Sequence, residues 1–574
     1  ARSAVFLEVR VLEFGSFTVL NWLASLVGFG IAPGGRNPPL TVLQAGRISF
    51  YSSSPFQFMS KGVMIPSMSI RPLLSREEMQ AAEEALFAAG VEAEHLMEAV
   101  GGRMTRIIDR YFPRPGTVIA YVGTGHNGGD ALVVARLLGE LGWEVFIRLV
   151  SDLENLKPLT QQKLEEVGEY GTQWDSDSRL LPEDPRPLVL LDGLLGIGAR
   201  GALRPEYREA SAEMNALRLA EQGATFALDI PSGVDANTGE VFEDAVVSDF
   251  TLTVGYAKPG LVADAAIDHV GRLAIVPLPE VEAMPGLGDR SRMVVTGETA
   301  GACLPRRRFS THKGEAGRVA IIAGSAGFTG APVLCASGAL RGGAGLVTLF
   351  VPNEVHSIVA SKTPPEVMVK GFGVPEEIDL SDFDAAGVGP GIGTDDTAKT
   401  IFEIALAFKG PLVIDADALT ILAYMDSKIL TDPLYPRLLT PHPGEMGRLL
   451  GEKLTAQHDR ADLAKDFVDR HAVTLLFKGS RTIVAEQEKP LAFNSTGHPG
   501  MATGGVGDVL TGLCAALIGQ GLTTYDVACA GSWLIGRAAE EALRNGWLAQ
   551  ESFVAGDVAE NLGRAFSSAR SVLD

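Results

Sequence analysis

Four scarcities narrow the possibilities before any motif is read. The 574 residues contain only four cysteines, Cys303, Cys335, Cys514 and Cys529, far apart and with no C-x-x-C spacing. A disulfide frame or structural zinc is therefore not expected, and a reducing compartment, the cytoplasm, is. Positive charge is short: 49 Lys and Arg face 70 Asp and Glu, a formal charge of −21. That balance argues against nucleic acid or an anionic membrane as a main partner, although acidity is also a plain solubility device. Long apolar runs are missing, since Phe17 to Ala32 falls below the ~20 residues of a membrane span and is interrupted by Gly28 and Gly30. No G-x-x-x-x-G-K-[ST] occurs, so any phosphoryl transfer proceeds without a Walker A loop.

Glycine, by contrast, is abundant at 66 residues. The densest stretch runs from Asn494 to Gly512, where a Gly-rich loop opens into an apolar run, Val509 to Ile518, expected as a buried helix. Asp508 sits at the turn between them. The first N–H groups of a helix lack internal partners and form an anion site, and glycines let the backbone approach a phosphate closely. An acid placed there can take a proton from a substrate hydroxyl while amides hold phosphoryl oxygens.

The length exceeds one core. Residues 1–67 differ from the rest, with five basic residues (Arg2, Arg10, Arg36, Arg47, Lys61) against Glu8 and Glu13. An organelle-targeting extension is one reading; a mis-set start is preferred, because Met68 looks like a natural beginning. Either way the segment is expected to be non-catalytic. From Ser75, whose Ser-Arg-Glu-Glu reads as a capping box, one or two helices run to about Phe112. Short apolar strands then alternate with helices: Val118–Val122, Val145–Val150, Leu188–Leu191, Thr225–Leu228, Thr251–Val254 and Leu273–Val276. A stretch from Pro277 to about Gly301 reads as a linker, and a second series follows at Val319–Ile322, Leu346–Phe350, Leu412–Ile414, Leu438–Leu439, Thr474–Phe477 and Thr482–Val484. Both halves are expected to be α/β with mostly parallel sheets, and no internal repeat relates them.

In the first half, Gly123-Thr-Gly-His-Asn-Gly-Gly-Asp130 follows a strand and precedes a helix expected at Ala131–Leu141. Its glycines satisfy the weak G-x-G-x-x-G pattern of a dinucleotide turn, but Asp130 would place negative charge where a pyrophosphate belongs. Two more loops follow strands, Asp192 to Gly198 and Asp229-Ile-Pro-Ser232-Gly-Val-Asp235. Loops at the carboxyl ends of one parallel sheet share a crevice, which would gather Asn127, Asp130, Asp192, Asp229 and Ser232, an oxygen set suited to a hard cation.

Here the chain resembles a family, the bifunctional NAD(P)H-hydrate repair enzymes, in which an epimerase is fused to an ADP- or ATP-dependent dehydratase. The family's Asn-Asn-Gly-Gly-Asp-Gly appears as His126-Asn-Gly-Gly-Asp-Ala131, its Asp-x-x-x-Gly-x-Gly as Asp192 to Gly198, and its Asp-Ile-Pro-Ser-Gly as Asp229 to Gly233. The resemblance implies a Rossmann-like three-layer epimerase domain at 68–288 and a ribokinase-like dehydratase domain at 289–574. It implies potassium held by Asn127, Asp192 and Ser232. Hydrated nicotinamide nucleotide would meet His126, Asn127, Gly128, Gly129, Asp130 and Asp229, together with the loop Gly196, Ile197, Gly198, Ala199, Arg200, Gly201 and Ala202. Asp192 would be the acid/base of epimerisation, with Lys258 assisting.

The second half carries the resemblance more densely, through His312 to Arg318, Gly324 to Ala331, Pro365 to Met368, Gly387 to Gly393, Asp415 to Leu419, Thr440 to Glu445, Lys478 to Thr482 and the Asp508 loop. By resemblance Lys478, Gly479, Ser480, Arg481, Thr482 and Gly507 contact ADP or ATP, supplied with Mg2+. Ala331, Gly391, His442 and Asp508 contact the hydrate, and Asp508 deprotonates its C6 hydroxyl so that phosphate can be eliminated. An uninterrupted fusion resembles the bacterial arrangement, which generally uses ADP. The expected partners are these small molecules and further copies of the chain.

Each residue also has a plainer reading: Lys258 as a surface lysine, Arg481 as solvated, His442 as a rigid turn residue, Asp415 and Asp417 as helix caps. Three departures from the family pattern stand out. His126 and His498 replace Asn, and the late His-Gly pair is Ile535-Gly536. Two histidines add groups that titrate near neutrality, so epimerase activity is expected to fall at acidic pH. The competing functions are a small-molecule kinase of the same fold whose first half only senses nucleotide, and a Rossmann dehydrogenase binding NAD at Gly123–Gly128.

Overall fold

Short runs of branched apolar residues become strands here because parallel sheets are covered on both faces. The computed structural model describes residues 56–60, 63–66, 70–112, 114–174, 186–544 and 548–571. The expected extension at 1–67 lies outside the described residues, apart from an antiparallel strand pair, Phe56–Ser60 with Val63–Pro66. No described helix is long and apolar enough to cross a membrane.

The first half is built on a seven-stranded sheet, parallel throughout. Across it run Arg272–Val276, Phe250–Val254, Ala224–Leu228, Leu188–Gly193, Thr117–Val122, Glu144–Leu149 and Gly171–Gln173. Strand order reverses between Thr117–Val122 and Leu188–Gly193, the topological switch point at which a doubly wound sheet opens a crevice. All six residues of Thr117–Val122 are buried. One face packs beneath helices Arg76–Ala88, Ala93–Tyr111 and His126–Glu140, the other beneath Pro205–Ala220. Ser75 caps the first helix as its motif predicts, accepting from Glu78 N while the Glu78 carboxylate accepts from Ser75 N.

The second half has an eleven-stranded mixed sheet. Its order is Met368–Phe372, Leu346–Pro352, Arg318–Ile322, Ala385–Val388, Leu412–Ile414, Arg437–Leu439, Thr474–Phe477, Ile483–Ala485, Leu491–Asn494, Asp289–Val295 and Pro72–Leu73. The first seven are parallel and reverse direction of winding between Arg318–Ile322 and Ala385–Val388, a second switch point. Antiparallel pairing begins at Thr474–Phe477 with Ile483–Ala485, which makes residues 478–482 a hairpin turn.

Two expectations need correction. The stretch Pro277–Gly301 is not a linker: Asp289–Val295 is a strand of the second sheet, and Thr296 opens a capped helix, Gly297–Cys303. Its first four residues are exposed, which hides the strand's apolar pattern. Also, the helix expected at Ala131 starts at His126, so the Asn127–Asp130 motif forms its first turn. Pro72–Leu73 pairs antiparallel with Asp289–Val295, so the chain ties the second sheet's edge before it builds the first sheet.

Candidate active sites

At the first switch point Asp192, fully buried near the end of its strand, accepts from Ser232 N and Ser232 Oγ, both at 2.7 Å, and from Leu194 N at 3.2 Å. Burial lifts its carboxyl to about 6, against the opposing effect of the Ser232 bonds. Asn127 donates through Nδ2 to Leu195 O at 3.0 Å, and Ser232 Oγ accepts from Leu195 N at 3.0 Å. Asn127, Asp192 and Ser232 therefore meet along the backbone of Leu194 and Leu195. One carboxylate, an amide oxygen and a hydroxyl suit a weakly demanding monovalent cation better than zinc. Gly123 is obligatory in this packing, since a Cβ there would lie 1.8 Å from Leu194 O.

Beside this cradle lies a second charged group. Asp229 is held at φ +69° and accepts from Lys258 Nζ at 2.5 Å and Val254 N at 3.1 Å. Lys258 is wholly buried and also bonds Thr253 Oγ1 at 2.9 Å, so the surface-lysine reading is wrong. Glu83 is pushed up to about 7 by burial and then by Asp229, with Lys258 opposing. Asp130 is pushed well above the usual carboxylate range by burial, then by Asp229 and Glu83. Two carboxyls raised by burial thus stand beside the Asp229–Lys258 ion pair, an arrangement suited to acid and base work in one crevice. Glu83 was not foreseen. Its signal was helical spacing, because it follows Met79, Ala82 and precedes Leu86 on the buried face of Arg76–Ala88.

The loop from Gly196 to Ala202 borders the site and is pinned by Arg76, which donates to Ala199 O at 2.8 Å and pairs with Asp235 at 2.7 Å. His126, at the crevice edge, is held below its ordinary value by burial and by Lys157. His498 is likewise lowered by burial, with Glu540 opposing, and its Nδ1 accepts from Gly500 N at 3.1 Å. Both surroundings thus favour the neutral imidazole. Gly536, kept from the family's His-Gly pair, is required where its helix crosses Thr496, whose Oγ1 a Cβ would meet at 2.4 Å.

The second crevice gathers Asp508, in the first turn of helix Val506–Gly519, with residues from four other segments. Lys478 Nζ lies 2.8 Å from Asp415 Oδ1 and 3.8 Å from Glu445 Oε2. Asp415 also accepts from Thr511 Oγ1 at 2.6 Å. A Cβ on Gly507 would meet Lys478 Nζ at 3.4 Å and Asp415 Oδ2 at 3.7 Å, which fixes the helix start against this pair. Asp508 is pushed up to about 7 by burial and then by Asp415, with Lys478 opposing. Asp417 accepts from Gly393 N at 2.9 Å and so ties down the Gly389–Gly393 loop. Gly391, at φ +67°, would bring a Cβ within 3.3 Å of Ala331 Cβ, so those two expected contacts are neighbours.

His442 caps helix Pro443–Leu450, its Nδ1 accepting from Gly444 N at 3.0 Å and Glu445 N at 3.3 Å. Asp415 and Glu445 were quoted in motifs but not counted as site residues; they are the counter-charges of Lys478. One expected contact changes. Arg481 is buried and turns away, donating to Gly271 O at 3.2 Å and Leu261 O at 3.5 Å in the first half. Its guanidinium is thus neither solvated nor available to phosphate, and only the turn's backbone and Lys478 remain. One lysine among Asp415, Asp417, Glu445 and Asp508 leaves the crevice acidic, so a nucleotide's phosphates fit there only with a divalent cation between. Among the described residues no three His, Cys, Asp or Glu side chains converge as a metal cluster.

Two doubly wound units, each with ionisable groups at its switch point, define an α/β protein with two candidate active sites. Family comparison agrees in both halves: residues 319–560 match the family described as NAD(P)H-hydrate dehydratase, and residues 93–260 match that described as YjeF-related protein N-terminus. A bifunctional NAD(P)H-hydrate repair enzyme of Moorella thermoacetica is 36% identical over 496 residues, covering 81% of this chain and 91% of that protein. One of Gloeobacter violaceus is 34% identical over 505 residues, covering 85% and 96%. The ADP/ATP-dependent NAD(P)H-hydrate dehydratase of Bacillus subtilis, co-crystallised with ATP and Mg2+, is 27% identical with a TM-score of 0.43, covering 47% of this chain and 96% of that one. The chain belongs to the bifunctional NAD(P)H-hydrate repair enzymes.

Proposed function

We propose that the chain repairs hydrated nicotinamide nucleotides, interconverting the R and S hydrates in its first half and dehydrating the S form to NAD(P)H in its second. In epimerisation, a neutral carboxyl protonates the C6 hydroxyl, and the ring nitrogen's electron pair expels water to leave an iminium. Water then adds to either face and returns the proton. Asp192 is the proposed acid/base, with the Asp229–Lys258 pair fixing the charge beside it. Potassium at Asn127, Asp192 and Ser232 would supply a fixed positive charge that orients substrate oxygens.

In dehydration, Asp508 takes the proton of the C6 hydroxyl while that oxygen attacks the nucleotide's terminal phosphorus. The bond from phosphorus to the leaving nucleotide breaks, releasing AMP from ADP or ADP from ATP. The ring nitrogen then expels phosphate, and loss of a C5 proton restores the dihydronicotinamide. Lys478 with the turn through Gly479, Ser480 and Thr482 holds the nucleotide, and Mg2+ bound to it would neutralise its phosphates. ADP is the proposed donor.

What supports this reading most is Asp508: a helix-start carboxyl lifted to about 7, adjoining Lys478 and flanked by Gly507. An acid poised there is a competent base at neutral pH. The test is dehydration of purified S-hydrate by Asp508→Asn, expected to fall at least a thousandfold while the epimers still interconvert. Retained dehydration would refute the assignment.

A further inference from the structure

The proposed nucleotide turn at 478–482 is fastened by an arginine of its own half that is in turn held from the other half. Arg460, the first residue of helix Arg460–Arg470, donates from Nη2 to Arg481 O at 2.9 Å and from Nη1 to Lys478 O at 3.4 Å. One guanidinium thus spans both ends of the turn. Gly479 is bare because the guanidinium occupies its side-chain space: a Cβ there would lie 1.9 Å from Arg460 Nη1. The same guanidinium sits 5.5 Å from the Phe477 ring centroid, in the strand that enters the turn.

Arg460 is itself held from the first half. Asp264 accepts from its Nε at 2.7 Å and its Nη2 at 2.6 Å, a two-pronged pair. The arginine side chain is 13% exposed in that pair while the Asp264 carboxylate, at 39%, meets solvent. Arg481 repeats the connection, with its guanidinium on Leu261 O and Gly271 O. Leu261 and Val262 share one apolar cluster with Phe477 and Ile483, which makes the seam a packed contact.

A planar guanidinium gripped through two of its nitrogens by one carboxylate is held in one orientation. We propose that Asp264, in the epimerase half, is a positioning residue for the dehydratase half: through Arg460 it orients the backbone of the 478–482 turn for the nucleotide. The proposal rests on the reading of that turn as the nucleotide site. It makes the second half's donor affinity depend on an intact contact with the first.

Hydrogen exchange of the unmodified full chain, with and without Mg2+ and ADP, tests the underlying reading. Protection of residues 478–482 is expected; protection confined elsewhere overturns that reading and the proposal with it. Asp264→Asn then tests the proposal itself. The KM for ADP is expected to rise about five- to tenfold, with kcat and the KM for S-hydrate within about twofold and faster exchange at 478–482 in the free protein. Asp264→Glu is expected to restore the KM to within about twofold of the unmodified value. Arg460→Lys, which keeps a charge opposite Asp264 but cannot bridge both carbonyls, is expected to raise the KM in the same way. An unchanged KM for ADP in Asp264→Asn, or a fall in kcat and melting temperature with no change in KM, would show a merely structural contact and overturn the proposal.

Discussion

Replacing Asp508 with Asn is expected to abolish dehydration and, at the same time, to stabilise the protein in a pH-dependent way. The carboxyl's folded pKa, about 7, lies above its ordinary 3.8, so the folded protein binds this proton more tightly than the unfolded chain does. Stability from that proton is fully present below the unfolded value and is lost as pH rises through the folded one. Asn stays neutral and loses nothing. For a shift of about 3 units at ~1.4 kcal/mol each, the wild-type loss is about 1.7 kcal/mol at pH 5 and about 4 kcal/mol at pH 8. The side chain is partly open to water, so screening reduces these figures by roughly half, leaving a difference of about 1–1.5 kcal/mol between the two pH values. Thermal unfolding at both pH values reads it directly. The melting temperature of Asp508→Asn minus that of the unmodified protein should widen by roughly 1–2.5 °C from pH 5 to pH 8. A constant or shrinking difference would refute the claim that burial and Asp415 hold this carboxyl neutral.

Further expectations follow from the same geometry. For the dehydratase, kcat/KM for the nucleotide should rise about tenfold per unit below pH 7 and level off above it, because the base must be ionised; a flat profile from pH 5.5 to 8 would contradict Asp508 as that base. Lys258→Met leaves half-buried Asp229 without its counter-charge and should lower stability by about 2 kcal/mol, while Lys258→Met with Asp229→Asn recovers much of it; thermal unfolding of the single and double variants decides. His126→Asn should change the epimerase profile between pH 6.5 and 8 little, since burial and Lys157 hold the His126 imidazole below its ordinary value; a shifted limb in that range in an epimer-exchange assay would show otherwise. Replacing K+ with a large organic cation should slow epimer exchange at least tenfold, and Ser232→Ala should weaken the K+ response.

Much of this architecture was legible because buried parallel strands are continuous apolar runs. Val118–Val122 and Leu188–Leu191 declare themselves this way, and the glycine loops after them mark the first switch point. The missed strands lack that signature for identifiable reasons. Ala385–Val388 is Ala-Ala-Gly-Val, small because helix Val506–Gly519 crosses it closely, with Thr511 Cγ2 3.4 Å from where a Gly387 Cβ would lie. Asp289–Val295 opens on Asp-Arg-Ser-Arg, exposed beside its neighbours. Motifs located the crevices, but sequence spacing could not say which way a side chain turns. Lys258 and Arg481 both look like solvated cations in one dimension, and both are buried by segments far away in the chain. Glu83 shows the converse, an acid on a buried helical face whose meaning depends on Asp229 and Lys258 across the crevice.

The central claim is that one chain holds two linked activities. The most direct measurement adds the protein to a mixture of R- and S-NADH hydrate with ADP, Mg2+ and K+, and follows absorbance at 340 nm. The account predicts full recovery of NADH from both epimers, recovery limited to the S fraction for Asp192→Asn, and none for Asp508→Asn. A phosphorylated hydrate that accumulates without NADH, or no recovery with either ADP or ATP, would contradict it.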